Sequence, residues 1–161
     1  MSSAAFRLRP AGPDDAGPIL RMVRALAEYE RAPDAVMMTE SSLRQALSGL
    51  PPAAEAVIAE HGGQPAGFAI WFSSFSTWTG RPGLYVEDVF VMPGARGQGI
   101  GRAMFRHVAK LAVERDCARL EWSVLDWNRP AIDFYRGLGA EPLDEWTRYR
   151  LSGAALDALA A

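Results

Sequence analysis

"VFVMPGARGQGIGRAMF", from Val89 to Phe105, joins an apolar run to a helical pattern through a turn crowded with glycine and arginine. The run before it, "LYVEDVFVM" from Leu84 to Met92, predicts a strand with a Glu-Asp pair in its middle. After the turn, Ile100, Met104, Val108 and Leu111 recur on one helical face, which predicts a helix within "GQGIGRAMFRHVAKLAVERD". A strand entering a helix through Gly97, Gly99 and Gly101 brings backbone close to a ligand without side chains in the way. The helix start adds unpaired N–H groups and the positive end of a dipole, and Arg96 and Arg102 add charge. These features together suit a phosphate or pyrophosphate.

Two phosphate loops are tested against this turn. A P-loop requires G-x-x-x-x-G-K-[ST], and the Lys-Ser/Thr pair is absent. A dinucleotide turn requires G-x-G-x-x-G; counted from Gly97, its last glycine falls on Arg102. Glu121 lies about 20 residues on, where that fold places its ribose acid. The hairpin pattern upstream and the late position of the turn nevertheless argue against a nicotinamide oxidoreductase.

Working outward, "EAVIAEHGGQPAGFAIWFSSF" holds two apolar runs around "HGGQ", a hairpin signal, and "FSTWTGRPG" predicts a loop after it. "FRLRP" (Phe6 to Pro10) alternates as a short first strand. "GPDDAGPILRMVRALAEYE" predicts a helix with Asp14 and Asp15 at its start, a stripe of Ile19, Leu20, Val23 and Leu26, and Pro33 beyond its end. "TESSLRQAL" adds a short helix with Thr39 as N-cap and Leu43 and Leu47 one turn apart. Downstream, "ARLEWSVL" predicts a strand, and "DWNRPAIDFYRGLGA" a helix capped by Asn128 with Pro130 in its first turn. "EWTRYRL" predicts a last strand before a helical Ala/Leu tail. The order β-α-α-β-β-β-α-β-α-β, over a 161-residue chain without repeat or linker, implies one α/β domain, residues 1–161, with a mixed sheet and helices on its faces.

Bulk properties narrow the function. Net charge of −2 leaves no overall basic field for nucleic acid or membrane phosphates. No apolar leader precedes the first strand and no run approaches about 20 apolar residues, so neither a signal peptide nor a membrane span is expected. A single cysteine, Cys117, excludes an intrachain disulfide framework and suits a reducing, cytoplasmic compartment. Having no histidine nearby in sequence, Cys117 is read as a small buried residue rather than a nucleophile. His61 and His107 are far apart and lack cysteine partners, so no metal site is expected. Trp71, Trp122 and Trp146 fall in predicted strands and are read as core or interface packing residues.

The turn resembles the acetyl-CoA-binding motif Q/R-x-x-G-x-G/A of the GNAT N-acetyltransferase superfamily, matched by Arg96, Gly97, Gly99 and Gly101. The order of elements is similar over nearly the whole chain, which implies that superfamily's acyl-CoA N-acyltransferase fold, a mostly antiparallel mixed sheet flanked by helices. "LAEYE" (Leu26 to Glu30), "LYVEDVFV" (Leu84 to Val91), "RGQGIG" and "WNRPAIDFYRGLGA" (Trp127 to Ala140) further resemble the spermidine/spermine branch, which includes thialysine N-epsilon-acetyltransferases. The resemblance implies direct transfer of acetyl from acetyl-CoA to a primary amine of a small cationic molecule, with no acyl-enzyme and no metal. Alternatives within it are a protein or antibiotic acetyltransferase, or a CoA-binding module that has lost catalysis.

By the resemblance, amides of Gln98, Gly99, Ile100 and Gly101 would hold the pyrophosphate, and Phe90 and Val91 would hold the pantetheine arm as an added strand. Arg96, Gly97 and Arg102 complete the turn, and Asn128 would contact cofactor or substrate while also capping its helix. Glu87 is the candidate general base, an acidic residue among apolar neighbours where an idle glutamate is costly; its plain reading is a solvent-facing residue on a one-sided sheet. Asp88 points to the opposite face in a regular strand, and a bulge could bring both near the site. Tyr135 is the candidate acid toward the leaving thiolate and a cofactor contact; its plain reading is core packing with a satisfied hydroxyl.

Tyr29, Glu30 and Trp78 match substrate-side residues of the branch, with Glu28 adding charge beside them. The branch's aspartate two residues before that tryptophan is Ser76 here, and the "TGRPG" loop is one residue longer. Losing one acidic anchor favours a shorter amine, such as thialysine or a lysine analogue, over a long polyamine. A homodimer is implied by resemblance alone.

Overall fold

Residues 6–161 are described by a computed structural model. Met1–Ala5, where the expectation of no apolar leader partly falls, lie outside the described residues. Two compact units form, one reaching to Ser123 and the other running from Val124 to Ala161.

In the first unit the strands are β1 (Arg7–Pro10), β2 (Glu55–His61), β3 (Gln64–Ser76), β4 (Arg81–Val91) and β5 (Leu120–Trp122). They lie in the order β1-β2-β3-β4-β5, antiparallel except for the last pair, which is parallel. That parallel pair follows from the crossover through α3 (Ile100–Glu114), since a short turn cannot return a chain to run parallel beside its predecessor. The hairpin between β2 and β3 turns at Gly62 and Gly63, both at positive φ. The loop expected over "FSTWTGRPG" shrinks to four residues, 77–80, because β3 and β4 extend their ladder to Ser76 and Arg81. Ser76, in the place of the expected aspartate, is buried, and its Oγ accepts from the Thr79 N–H at 3.3 Å across that turn.

Strand alternation divides the apolar residues between the two faces of the sheet. Val57, Ala59, Ala69, Trp71, Leu84 and Val86 pack with Ile100, Met104 and Val108 of α3. Ala56, Ile58, Phe68, Ile70 and Phe90 pack with Ile19 and Met22 of α1 (Ala16–Tyr29) and Leu43 of α2 (Glu40–Ser48). The expected stripe of α1 is displaced slightly: Ile19 and Leu20 are buried, Val23 and Leu26 only partly. Thr39 caps α2 in a reciprocal pair with Ser42, at 3.1 and 3.0 Å. Gly67 lets β3 approach its neighbours, because a Cβ there would lie 2.8 Å from the Phe90 carbonyl and 3.5 Å from Ile100 and Met104.

In the second unit, α4 (Arg129–Gly137) begins at Asn128, whose side chain accepts from the Ala131 N–H at 3.4 Å. Pro130 lies in its first turn, and α5 (Gly153–Ala160) accounts for the Ala/Leu tail. The last strand expected over "EWTRYRL" does not form. No ladder partner exists for it among the described residues, Tyr149 is 95% exposed, and Trp146 donates instead to the Leu143 carbonyl in a turn. Tyr149 and Leu151 keep a period of two, but alternation makes a strand only where a neighbour completes its ladder. Trp146 lies outside any strand and is exposed in this chain, whereas Trp71 is buried and Trp122 is half-buried against Phe105, ring centroids 4.7 Å apart.

Candidate active site

β5 pairs with β4 over three residues only, Leu84–Val86 against Leu120–Trp122. From Glu87 to Val91, β4 keeps β3 on one side and, among the described residues, has no strand on the other. That half of β4 presents an open backbone edge, which an extended ligand can occupy as a further strand. Phe90 lies opposite Phe68 and buries its ring on the α1 side of the sheet. The Val91 carbonyl faces away from β3 and accepts from Arg96 Nε at 3.0 Å.

The open edge leads into the glycine turn. A short helical turn, Pro93–Ala95, ends at Arg96, and α3 then starts at Ile100 from Gly99 as its N-cap. Gly97 and Gly99 have φ of 79° and 82°, and a Cβ on either would meet nothing within 4 Å. Their need for glycine is thus a backbone angle together with clear space beside the chain. Gly99 supplies no side-chain cap, so the first amides of α3 are available to an anion. Ile100 is buried, leaving only its amide for a ligand, while Gln98 and Arg102 are exposed beside Gly101. Room at the turn, uncapped amides and a free strand edge fit a phosphate-bearing ligand with an extended arm.

The Glu-Asp pair lies at a break in register. Ile70 pairs with Asp88 and Trp71 with Val86, so Glu87 is the extra residue of a bulge. Glu87 is exposed, and the burial cost expected from its apolar neighbours does not arise. Asp88 is the half-buried member, and its carboxyl is pushed up to about 6 by burial first, then by the negative charges of Glu87 and Glu30. Burial also raises Glu30, at the end of α1. Asp88 thus lies within electrostatic reach of its chain neighbour Glu87 and of Glu30 just beyond α1. Tyr29 is partly exposed beneath Arg96, whose guanidinium carbon is 5.2 Å from its ring centroid. Trp78 is 85% exposed at the β3–β4 turn.

In the second unit, Asn128 and Tyr135 mark the start and the later half of α4; both are half-buried, and the Tyr135 and Phe134 rings are 5.7 Å apart. Two features of the first unit escaped the sequence reading. Gly67, which sets how closely α3 packs, was signalled by a glycine inside a strand pattern. The stacking of Arg96 on Tyr29 had no local signal, since the two meet only in three dimensions.

Residues 21–140 match the family model described as Acetyltransferase (GNAT) family. A thialysine N-epsilon-acetyltransferase from Sus scrofa is 39% identical over 168 residues, covering 98% of each chain. A spermidine/spermine N(1)-acetyltransferase-like protein 1 from Homo sapiens is 31% identical over 157 residues, 91% of this chain and 22% of that one. Among solved structures, an integron cassette protein from the V. cholerae mobile metagenome is similar at a TM-score of 0.79 and 26% identity, covering 96% of this chain and 97% of that one.

Proposed function

The chain belongs to the GNAT acetyltransferase family, and on that premise we propose that it carries acetyl from acetyl-CoA to the primary amine of a thialysine- or lysine-like molecule. It is an acetyltransferase that acts on a small amine. The observation that carries the finer reading is the open half of β4, which has the uncapped glycine turn at one end and the bulged Glu87-Asp88 pair at the other.

The turn amides of Gln98 to Gly101 and the outward backbone of Val91 would hold the cofactor, with Gly97 giving the angle and Arg102 the charge; the Phe90 backbone, expected to share that edge, faces β3 instead. Acetyl-CoA supplies the thioester when bound. An alkylammonium with a pKa of roughly 10 must lose a proton before attack, and Glu87 takes that proton directly or through water. The nitrogen would then bond to the thioester carbonyl carbon as the C–S bond breaks, and its second proton would leave to solvent to give the neutral amide. A β4 backbone N–H would support charge on the thioester oxygen, and Tyr135 would supply a proton to the leaving sulfur. Asn128 caps the helix that carries Tyr135.

Tyr29, Glu30 and Asp88 would form the amine side, where carboxylates attract a cation and an aromatic face covers it, whereas Trp78, in the turn before Arg81, stands at the other end of β4 from Asp88. With Ser76 occupied in closing the β3–β4 turn, one acidic contact is missing, which supports a short amine over a polyamine. Protein and antibiotic amines, and an inactive CoA-binding module, are not favoured. Homodimer assembly and a cytoplasmic location belong to the same proposal; among the described residues no helix is long and apolar enough to cross a membrane.

A thiol-release assay with acetyl-CoA tests this against thialysine, lysine, spermidine, spermine, an aminoglycoside and a basic peptide. Turnover concentrated on thialysine or lysine, and reduced about 100-fold or more in Tyr135→Phe, is expected. Equal turnover in Tyr135→Phe, or preference for the peptide, would overturn the reading.

A further inference from the structure

Arg96 belongs to the turn, yet its side chain is committed elsewhere. Its Nε donates to the Val91 carbonyl at 3.0 Å, on the open edge of β4. Its guanidinium carbon stands 5.2 Å from the centroid of Tyr29 and 5.6 Å from that of Phe90. One planar cation thus bridges the end of α1 and the end of β4. Tyr29 is the last residue of α1, and the next residue, Glu30, is one of the two acids whose charge acts on Asp88.

We propose that Arg96 is a positioning residue for amine recognition, holding Tyr29 and the α1 terminus against the cofactor edge of β4 rather than serving chiefly as a counter-charge to pyrophosphate. The geometry requires arginine. Lysine keeps the charge, but it lacks a planar group that can stack on an aromatic face while donating sideways from Nε. A counter-charge role would make lysine an adequate replacement; a positioning role would not.

This inference rests on the acetyltransferase reading, so its test has an arm that needs no turnover. In the kinetic arm, Arg96→Lys and Arg96→Met are each expected to raise the amine KM about five- to tenfold, as loss of a hydrogen bond plus a cation–π contact implies. Acetyl-CoA affinity, measured by direct titration, should change less than the amine KM in Arg96→Lys. In the second arm, ring-current-shifted proton signals of the Arg96 side chain are read by NMR, and Tyr29→Leu is expected to move them toward unstructured values. Normal amine KM in Arg96→Lys, with weakened and salt-sensitive acetyl-CoA binding in Arg96→Met, would overturn the proposal in favour of a counter-charge. Arg96 signals unmoved by Tyr29→Leu would overturn it independently of activity. Failure of the wild type to turn over any amine would instead count against the function assigned above, with the NMR arm still deciding the role of Arg96.

Discussion

Asp88→Asn is expected to stabilise the protein, and by an amount that depends on pH. The Asp88 carboxyl is pushed up from an ordinary 3.8 to about 6, by burial and by the charges of Glu87 and Glu30. A folded-state pKa above the unfolded value means that the folded protein holds this proton more tightly. Its contribution is fully present below pH 3.8 and is lost as the pH rises through 6. Above that, at 1.36 kcal/mol per pH unit, the ionised carboxylate costs about 3 kcal/mol. Asparagine keeps the shape and discards the charge. The variant should therefore exceed wild type by about 1 kcal/mol at pH 4.5 and by about 3 kcal/mol at pH 7 to 8. For a chain of this size, 3 kcal/mol corresponds to a Tm rise of roughly 6–12 °C. Urea denaturation of both proteins at pH 4.5, 6 and 8 reads the difference directly. A gain of equal size at all three values, or a loss at pH 8, would refute the argument that a strained charge resides at Asp88. Stability gained by removing a charge from a site, at the expense of activity, is the usual trade between fold and function.

An opposite pH dependence is expected at Asp15, whose carboxyl is held down chiefly by its bonds to Arg9 at 2.8 and 3.0 Å. Its contribution is present above the unfolded pKa and is lost as pH falls through the lowered value, so Asp15→Asn should destabilise at pH 7 and the deficit should fade in acid melts. Gly99→Ala forces a side chain onto a φ of 82°, at about 1–2 kcal/mol, and isothermal titration should show acetyl-CoA binding weakened about tenfold, since the strained turn displaces its amides. Gly67→Ala would set a Cβ 2.8 Å from the Phe90 carbonyl, and with backbone unable to yield it should cost about 1–3 kcal/mol in urea melts.

Much of this protein is determined by its sequence alone, because the decisive interactions are local. The glycine turn declares itself by left-handed angles that only Gly97 and Gly99 adopt without strain. The caps at Thr39 and Asn128 declare themselves because a cap bonds within three residues of itself. The β2–β3 hairpin and the face of α3 follow from periods of two and 3.6. Other features belong to the tertiary structure. "EWTRYRL" is rich in β-formers, yet a strand exists only where a neighbour completes its ladder, and propensity says nothing of that neighbour. The bulge that makes Glu87 the extra residue arises in register between β3 and β4, so it could be foreseen only as a possibility. The raised Asp88 carboxyl comes first from burial and then from the charges of Glu87 and of Glu30, 58 positions away in the chain, and the posture of Arg96 depends on Tyr29, 67 positions away. Electrostatic and stacking energies depend on distance in space, and chain separation carries no information about that until the sheet and α1 have packed.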